Sequence, residues 1–195
     1  MLLTEACRSG KRKSDLPRTL LGDVYSPGMN APSDPEPCPK PLSPGLPADW
    51  ERYYDLRWRV LRAPWNQPRG SEKDELEEQS EHLMILGSEA EALAVGRLHF
   101  NSAREAQVRF MAVAPEARGR GLGGVILAEL ERRARTAGAT AIVLNARENA
   151  RRFYEKHGYK VIGPAPTLFD AVPHSRMRKV LSPAAFSSPN ESGRA

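Results

Sequence analysis

The sequence predicts an α+β domain of mixed α/β order, and three observations carry that expectation. Residues 82–86, 93–100 and 106–114 are three β-prone segments in succession, joined by turns short enough for an antiparallel meander. A glycine-rich loop follows the third segment and opens residues 122–137, where Leu122, Ile126, Leu130, Ala134 and Ala137 recur at helical spacing. Beyond that helix the apolar run 140–144 reads as a short buried strand, and a further helix and two strands complete the order.

Residues 1–47 read as a tail. Eight prolines between Pro27 and Pro47, with few large apolar side chains, predict an extended or disordered segment. Only residues 19–25 there suggest a strand, and Gly22-Asp23 weakens it. The folded domain is expected over residues 48–182, with 183–195 a disordered end. Asp49 is placed to cap a helix that runs to Arg62 and is ended by Pro64. Its Trp50, Tyr53, Tyr54, Leu56, Trp58, Val60 and Leu61 cover more than one face, so much of it should be buried.

A loop over residues 64–70 leads to a short acidic helix at 71–78, with Ser71 and Asp74 as a capping box. The acidic run from Glu72 to Glu81 reads as a solvated face, although it would also suit the attraction of a cationic amine. Late in the chain, a helix over 148–157 is closed by Gly158, a strand begins at 160–162, and the last strand spans 175–180.

A chain of 195 residues suits one domain with tails. Lys+Arg of 29 against Asp+Glu of 24 gives a net charge of +5, which suits an anionic cofactor as readily as a nucleic acid. Cys7 and Cys38 supply neither a disulfide framework nor a metal site, so a reducing compartment fits and no metal is expected. The start lacks a basic and apolar leader, and nowhere do 18 apolar residues run together. A cytoplasmic location is the expectation.

The glycine loop carries the chemistry. A loop between strand and helix leaves backbone N–H groups free at a helix N-terminus, where they and the helix dipole favour a phosphate. Arg118 and Arg120 add forked cationic donors suited to a diphosphate. Gly119 and Gly124 have the P-loop interval, but Val125 and Ile126 stand where Lys and Ser/Thr are required. Gly119, Gly121 and Gly124 satisfy GxGxxG, yet the next strand ends at Asn145 rather than at a ribose-binding acid.

A third pattern, Arg-x-x-Gly-x-Gly, is met by Arg118, Gly121 and Gly123. With Val113-Ala-Pro before it, the segment resembles the acetyl-CoA loop of the GCN5-related N-acetyltransferases (GNAT). A second motif, from Asn149 to Tyr159, is close to that family's A-x-x-F-Y-E-K-x-G-F/Y. The early LRxxVLRxP and the late PHxxM are similar to the ElaA/YjcF-like branch. The likeness runs over about residues 50–181. It implies the GNAT acyl-CoA N-acyltransferase fold, a mixed, mostly antiparallel central sheet with helices on both faces. It also implies a first strand: either residues 19–25 supply it across a long loop, or the tail is an extension that does not belong to the domain.

The resemblance further implies acetyl-CoA as cosubstrate and transfer of its acetyl group to a primary amine within a ternary complex. Backbone at Met111, Ala112 and Val113 would hold pantetheine and thioester. Arg118, Gly119, Arg120, Gly121, Leu122 and Gly123 would hold the diphosphate, and Tyr154 would protonate the departing sulfur. A tyrosine hydroxyl, with an ordinary pKa of about 10, keeps its proton at neutral pH. Where the family often has a pantetheine-binding Asn, Arg147 stands here, with Asn145 and Asn149 on either side; Asn149 is the candidate taken. The PHxxM match makes His174 an acceptor-site candidate.

His82 and His99 read as packed or exposed strand residues, His157 as a charge at a helix C-terminus, and the general base is unassigned. Partners would be a small-molecule or peptide amine, with no nucleic acid and no membrane, and a homodimer is allowed. Polyamine, antibiotic, amino acid and protein N-terminus all stay open as acceptor. The alternatives are a GNAT-fold protein that binds CoA without turnover and a basic nucleic-acid-binding module.

Overall fold

The computed structural model describes residues 39–182. Residues 19–25, Cys7, Cys38 and the segment 183–195, on which expectations were placed above, lie outside the described residues. Three α-helices, α1 (Pro47–Leu61), α2 (Leu122–Thr136) and α3 (Arg151–Lys156), surround six strands. The strands are β1 (Glu81–Leu86), β2 (Ala92–Ser102), β3 (Glu105–Val113), β4 (Ala141–Arg147), β5 (Lys160–Leu168) and β6 (Val172–Val180). They form one sheet in the order β1-β2-β3-β4-β6-β5, in which only β3 and β4 run parallel. The expected mixed, mostly antiparallel α+β architecture is therefore present.

Helices cover both faces. On β2, a Cβ added at Gly96 would lie 2.7 Å from Ile126 on α2, so the sheet meets α2 at that glycine. The next residue, Arg97, points to the opposite face, where its guanidinium shares Glu77 with Arg57 of α1. The parallel β3–β4 pair is joined through α2, the crossover that parallel strands require.

Three expectations are corrected. Asp49 does not occupy the N-cap of α1. Leu46 does, Pro47 opens the helix, and the Asp49 carboxylate reaches back to the amides of Leu46 at 3.0 Å and Gly45 at 3.2 Å. The segment before the helix is also seated: Leu42 exchanges two backbone hydrogen bonds of 2.8 Å with Met84 of β1, and Pro44 is buried. Among the described residues this one bridge is the pairing on that side of β1, and it precedes residue 48.

Residues 71–78 form turns and a short 3₁₀ helix at Glu77–Gln79 instead of a capped α-helix. The Ser71 hydroxyl donates to the Pro68 carbonyl, while Asp74 and Glu77 turn inward to arginines. Finally, residues 148–157 divide into a 3₁₀ turn, Glu148–Ala150, and α3, with Gly158 in the left-handed region as expected.

Candidate functional site

Strands β3 and β4 pair over only three positions, Glu105↔Ala141, Ala106↔Ile142 and Gln107↔Val143, and then part. The cause lies on β3. Val95 opposes Ala112 and Arg97 opposes Arg109, so two residues of β3, Phe110 and Met111, face the single Gly96 of β2. This bulge puts Phe110 at φ 53°, strengthens the local twist and bends β3 away from β4. Past Gln107 the facing edges of both strands keep free peptide groups, as a ligand-accepting cleft requires.

The bulge is held by a buried charge cluster that the sequence did not disclose. Arg57 and Arg97 are fully buried. Glu77 accepts from Arg57 at 2.8 and 2.9 Å and from Arg97 at 2.6 Å, and Asp74 takes the rest of the Arg97 fork. The Arg57 guanidinium stacks 3.9 Å from the centroid of the Phe110 ring. Burial presses the Glu77 pKa upward, but the hydrogen bonds and charge of Arg57, followed by Arg97, outweigh it and leave the carboxyl below its ordinary range. His82 is part of the same packing, between the Tyr53 hydroxyl and the Glu77 carbonyl, and His99 is buried on β2. Neither histidine lines the cleft, in keeping with the packed reading.

A cavity of about 270 Å³ occupies the mouth of the gap. It brings together Met111 from β3, Arg147 from β4, Tyr154 from α3 and His174 from β6. Tyr154 is 8% exposed, its ring edge-on to Phe153 and Tyr159, and burial raises its pKa well above the ordinary phenol range. His174 donates from Nδ1 to the Val172 carbonyl at 2.8 Å, which leaves Nε2 as the acceptor of a neutral ring. Burial first, and then the charges of Arg147 and Arg62, hold its pKa below the ordinary histidine value, against that hydrogen bond.

Of the three pantetheine candidates, Asn145 and Arg147 line the cavity, whereas Asn149 sits on the exposed turn before α3. Arg62, Arg109 and Phe110 also line it and were not foreseen as site residues. Arg62 belongs to the LRxxVLRxP stretch, which was the one available signal. Phe110 had none, because a positive φ at a phenylalanine leaves no mark in composition.

The glycine loop lies outside this cavity, at the N-terminus of α2. After a 3₁₀ turn at Pro115–Ala117, Gly119 and Gly121 both take φ +79°, and Gly121 is the N-cap. Among the described residues, the backbone amides from Gly119 to Gly123 have no backbone acceptor; the helix ladder starts with Gly124 and Val125 donating to Gly121. Five free amides beside Arg118 and Arg120 make an anion cradle. Gly123 and Gly124 act differently. A Cβ there would meet the Phe153 ring and Val113 at 3.4 Å, or His157 Nε2 at 3.1 Å, so these glycines let α3 close against α2. His157 caps α3, with Nδ1 bonded to the Phe153 carbonyl at 2.8 Å.

A mixed sheet opened between two parallel strands, with an amide cradle at one end of the opening, defines the acyl-CoA N-acyltransferase class of fold. The chain belongs to the acetyltransferase (GNAT) family, whose model matches residues 50–159. It is 35% identical over 124 residues to the uncharacterized N-acetyltransferase YjcF of Bacillus subtilis, an alignment covering 64% of this chain and 87% of that protein. A solved structure from Lactobacillus plantarum, described provisionally as an N-acetyltransferase, superposes with a TM-score of 0.64 at 26% identity, covering 73% of this chain and 98% of that one. An aminoglycoside 6'-N-acetyltransferase solved with coenzyme A gives 0.62 at 18% identity over 74% and 98% of the two chains, a likeness of fold. Among the described residues no helix is long and apolar enough to cross a membrane.

Proposed function

We propose that the protein transfers the acetyl group of acetyl-CoA to a primary amine, directly, in a ternary complex. The observation that carries this reading is the meeting of Tyr154 and His174 in one cavity at the β3–β4 opening. The residues present fit the cosubstrate. The free amides of Gly119 to Gly123 and the Arg118 and Arg120 side chains suit the diphosphate, and the unpaired edges of β3 and β4 suit the amides of the pantetheine arm.

Bound acetyl-CoA supplies a thioester carbonyl open to attack by nitrogen. The chain's own groups supply the rest. Peptide N–H donors on the free edge of β3 near Met111 to Val113 stabilise charge on the acyl oxygen. Nε2 of His174, neutral and unbonded among the described residues, takes the proton that the amine loses. Tyr154 keeps its proton throughout the physiological range and delivers it to the departing sulfur. Arg147 lines the same cavity, where it either takes the place of the pantetheine-side Asn or faces the acceptor.

The test is Tyr154→Phe, with CoA release measured across a panel of amines. Only a hydroxyl without a hydrogen-bond partner among the described residues is lost, so folding and acetyl-CoA affinity should stay unchanged. Turnover should fall about 10²–10⁴-fold. Unchanged turnover, under conditions where chemistry limits the rate, would return Tyr154 to a packing role.

A further inference from the structure

Three arginines, Arg62, Arg109 and Arg147, line the cavity, and no aspartate or glutamate does. Arg109 has a partner in Asp74 at 3.1 Å. Arg62 and Arg147 make no ion pair among the described residues. Arg62 is only 9% exposed. Both guanidiniums share one acceptor, the Leu61 carbonyl oxygen, 3.2 Å from Arg62 Nη1 and 2.9 Å from Arg147 Nη2, and Arg62 Nε also donates to the Ser71 carbonyl at 2.8 Å, another neutral oxygen. Two like charges are therefore fixed side by side by neutral carbonyl oxygens, one of them shared. Burial and the charges of Arg147, Arg57 and Arg109 push the Arg62 pKa down, yet a guanidinium stays cationic at neutral pH. The carboxylate that acts on Arg62, Glu72, has its Oε2 occupied by the Gly70 amide at 2.8 Å.

A buried, unpaired cation is costly, and a neighbouring cation makes it more so. Such a pair becomes stable when an anion enters between the forks, and guanidinium forks match a carboxylate or a phosphate. Building on the transferase reading above, we infer that the acceptor is a small amine that also carries an anionic group, a carboxylate or a phosphate, held by Arg62 and Arg147 while its nitrogen meets His174. Polyamines and aminoglycosides, which bring only positive charge, are disfavoured by the same two arginines. This assignment also takes Arg147 away from the pantetheine and gives it to the acceptor.

The experiment uses the full chain with CoA present and measures binding by calorimetry in matched sets. The carboxylate arm pairs the α-amino acids and 4-aminobutyrate with the corresponding alkylamines and with 1,4-diaminobutane. The phosphate arm pairs 2-aminoethyl phosphate with ethanolamine, and glucosamine 6-phosphate with glucosamine. At least one acidic amine should bind about 10–100-fold more tightly than its neutral or cationic counterpart, the span of one to two charged hydrogen bonds. Arg147→Gln should erase most of that preference and leave CoA affinity unchanged, and Arg147→Lys should restore part of it.

Thiol release from acetyl-CoA is read in parallel. Selective binding of an acidic amine without release would overturn the transferase reading and leave the acceptor assignment standing. Release with neutral or cationic amines in preference to acidic ones would overturn the acceptor assignment alone. Equal or absent binding across every matched pair, or an Arg147→Gln variant that loses CoA affinity and keeps the acidic preference, would also overturn it.

Discussion

Glu77 is the residue on which the bulge at Phe110 depends, and replacing it by glutamine tests the cluster directly. Its carboxylate is the only countercharge of Arg57 among the described residues and one of two for Arg97, and both arginines are fully buried. Glutamine keeps the shape but removes the charge and turns amide hydrogens toward donors. Arg57 would retain the Glu72 carbonyl and the Phe110 face, neither of which carries charge. Breaking one side of a buried pair costs about 3–5 kcal/mol. For a chain of this size that corresponds to a fall in Tm of roughly 6–20 °C.

The sign of the pH dependence follows from the same group. The ordinary value is 4.5 and the folded value lies lower, so the contribution is complete above the ordinary value. It is lost as pH falls through the folded value. Urea unfolding of wild type and Glu77→Gln between pH 3 and 8 should show the two curves converging at the acid end. A loss below about 1 kcal/mol at neutral pH, typical of an exposed pair, would refute the argument that Glu77 anchors buried cations.

Four further outcomes are expected. Gly121→Val should abolish acetyl-CoA binding because φ +79° is strained for valine; space is not the reason, since no atom lies within 4 Å of an added Cβ. Arg118→Ala should weaken binding by about 1.5–3 kcal/mol, and calorimetry should show both losses for CoA but not for dephosphorylated pantetheine. The acid limb of kcat/KM, corrected for ionisation of the acceptor, should lie below about 6.5 and disappear in His174→Gln, because burial and Arg147 keep His174 neutral. A chain begun at residue 48 should unfold at a lower temperature than one begun at 39, since only the longer one keeps the Leu42–Met84 bridge and the amides that Asp49 caps; equal midpoints would place the domain boundary where the sequence suggested it.

The family and the element order were legible because they rest on local signals. Apolar period, proline position and two glycine motifs are properties of neighbouring residues, and Arg118, Gly121, Gly123 and Tyr154 were singled out by the resemblance of those motifs to the family's. What the sequence misjudged depends on contacts between distant segments. The acidic residues Asp74 and Glu77 read as a solvated helix because nothing nearby balances them; their partners, Arg57 and Arg97, lie 20 or more positions away in the chain.

The same holds for the cavity. The bond from Arg147 to the Leu61 carbonyl, which sets Arg147 beside Arg62, spans 86 positions, and no composition or period reports it. Local sequence determined the glycine loop at the start of α2 and the place of Tyr154 on α3. Only the folded sheet, by parting β3 from β4, decided which charges line the cavity, because electrostatics acts through space and is indifferent to chain order.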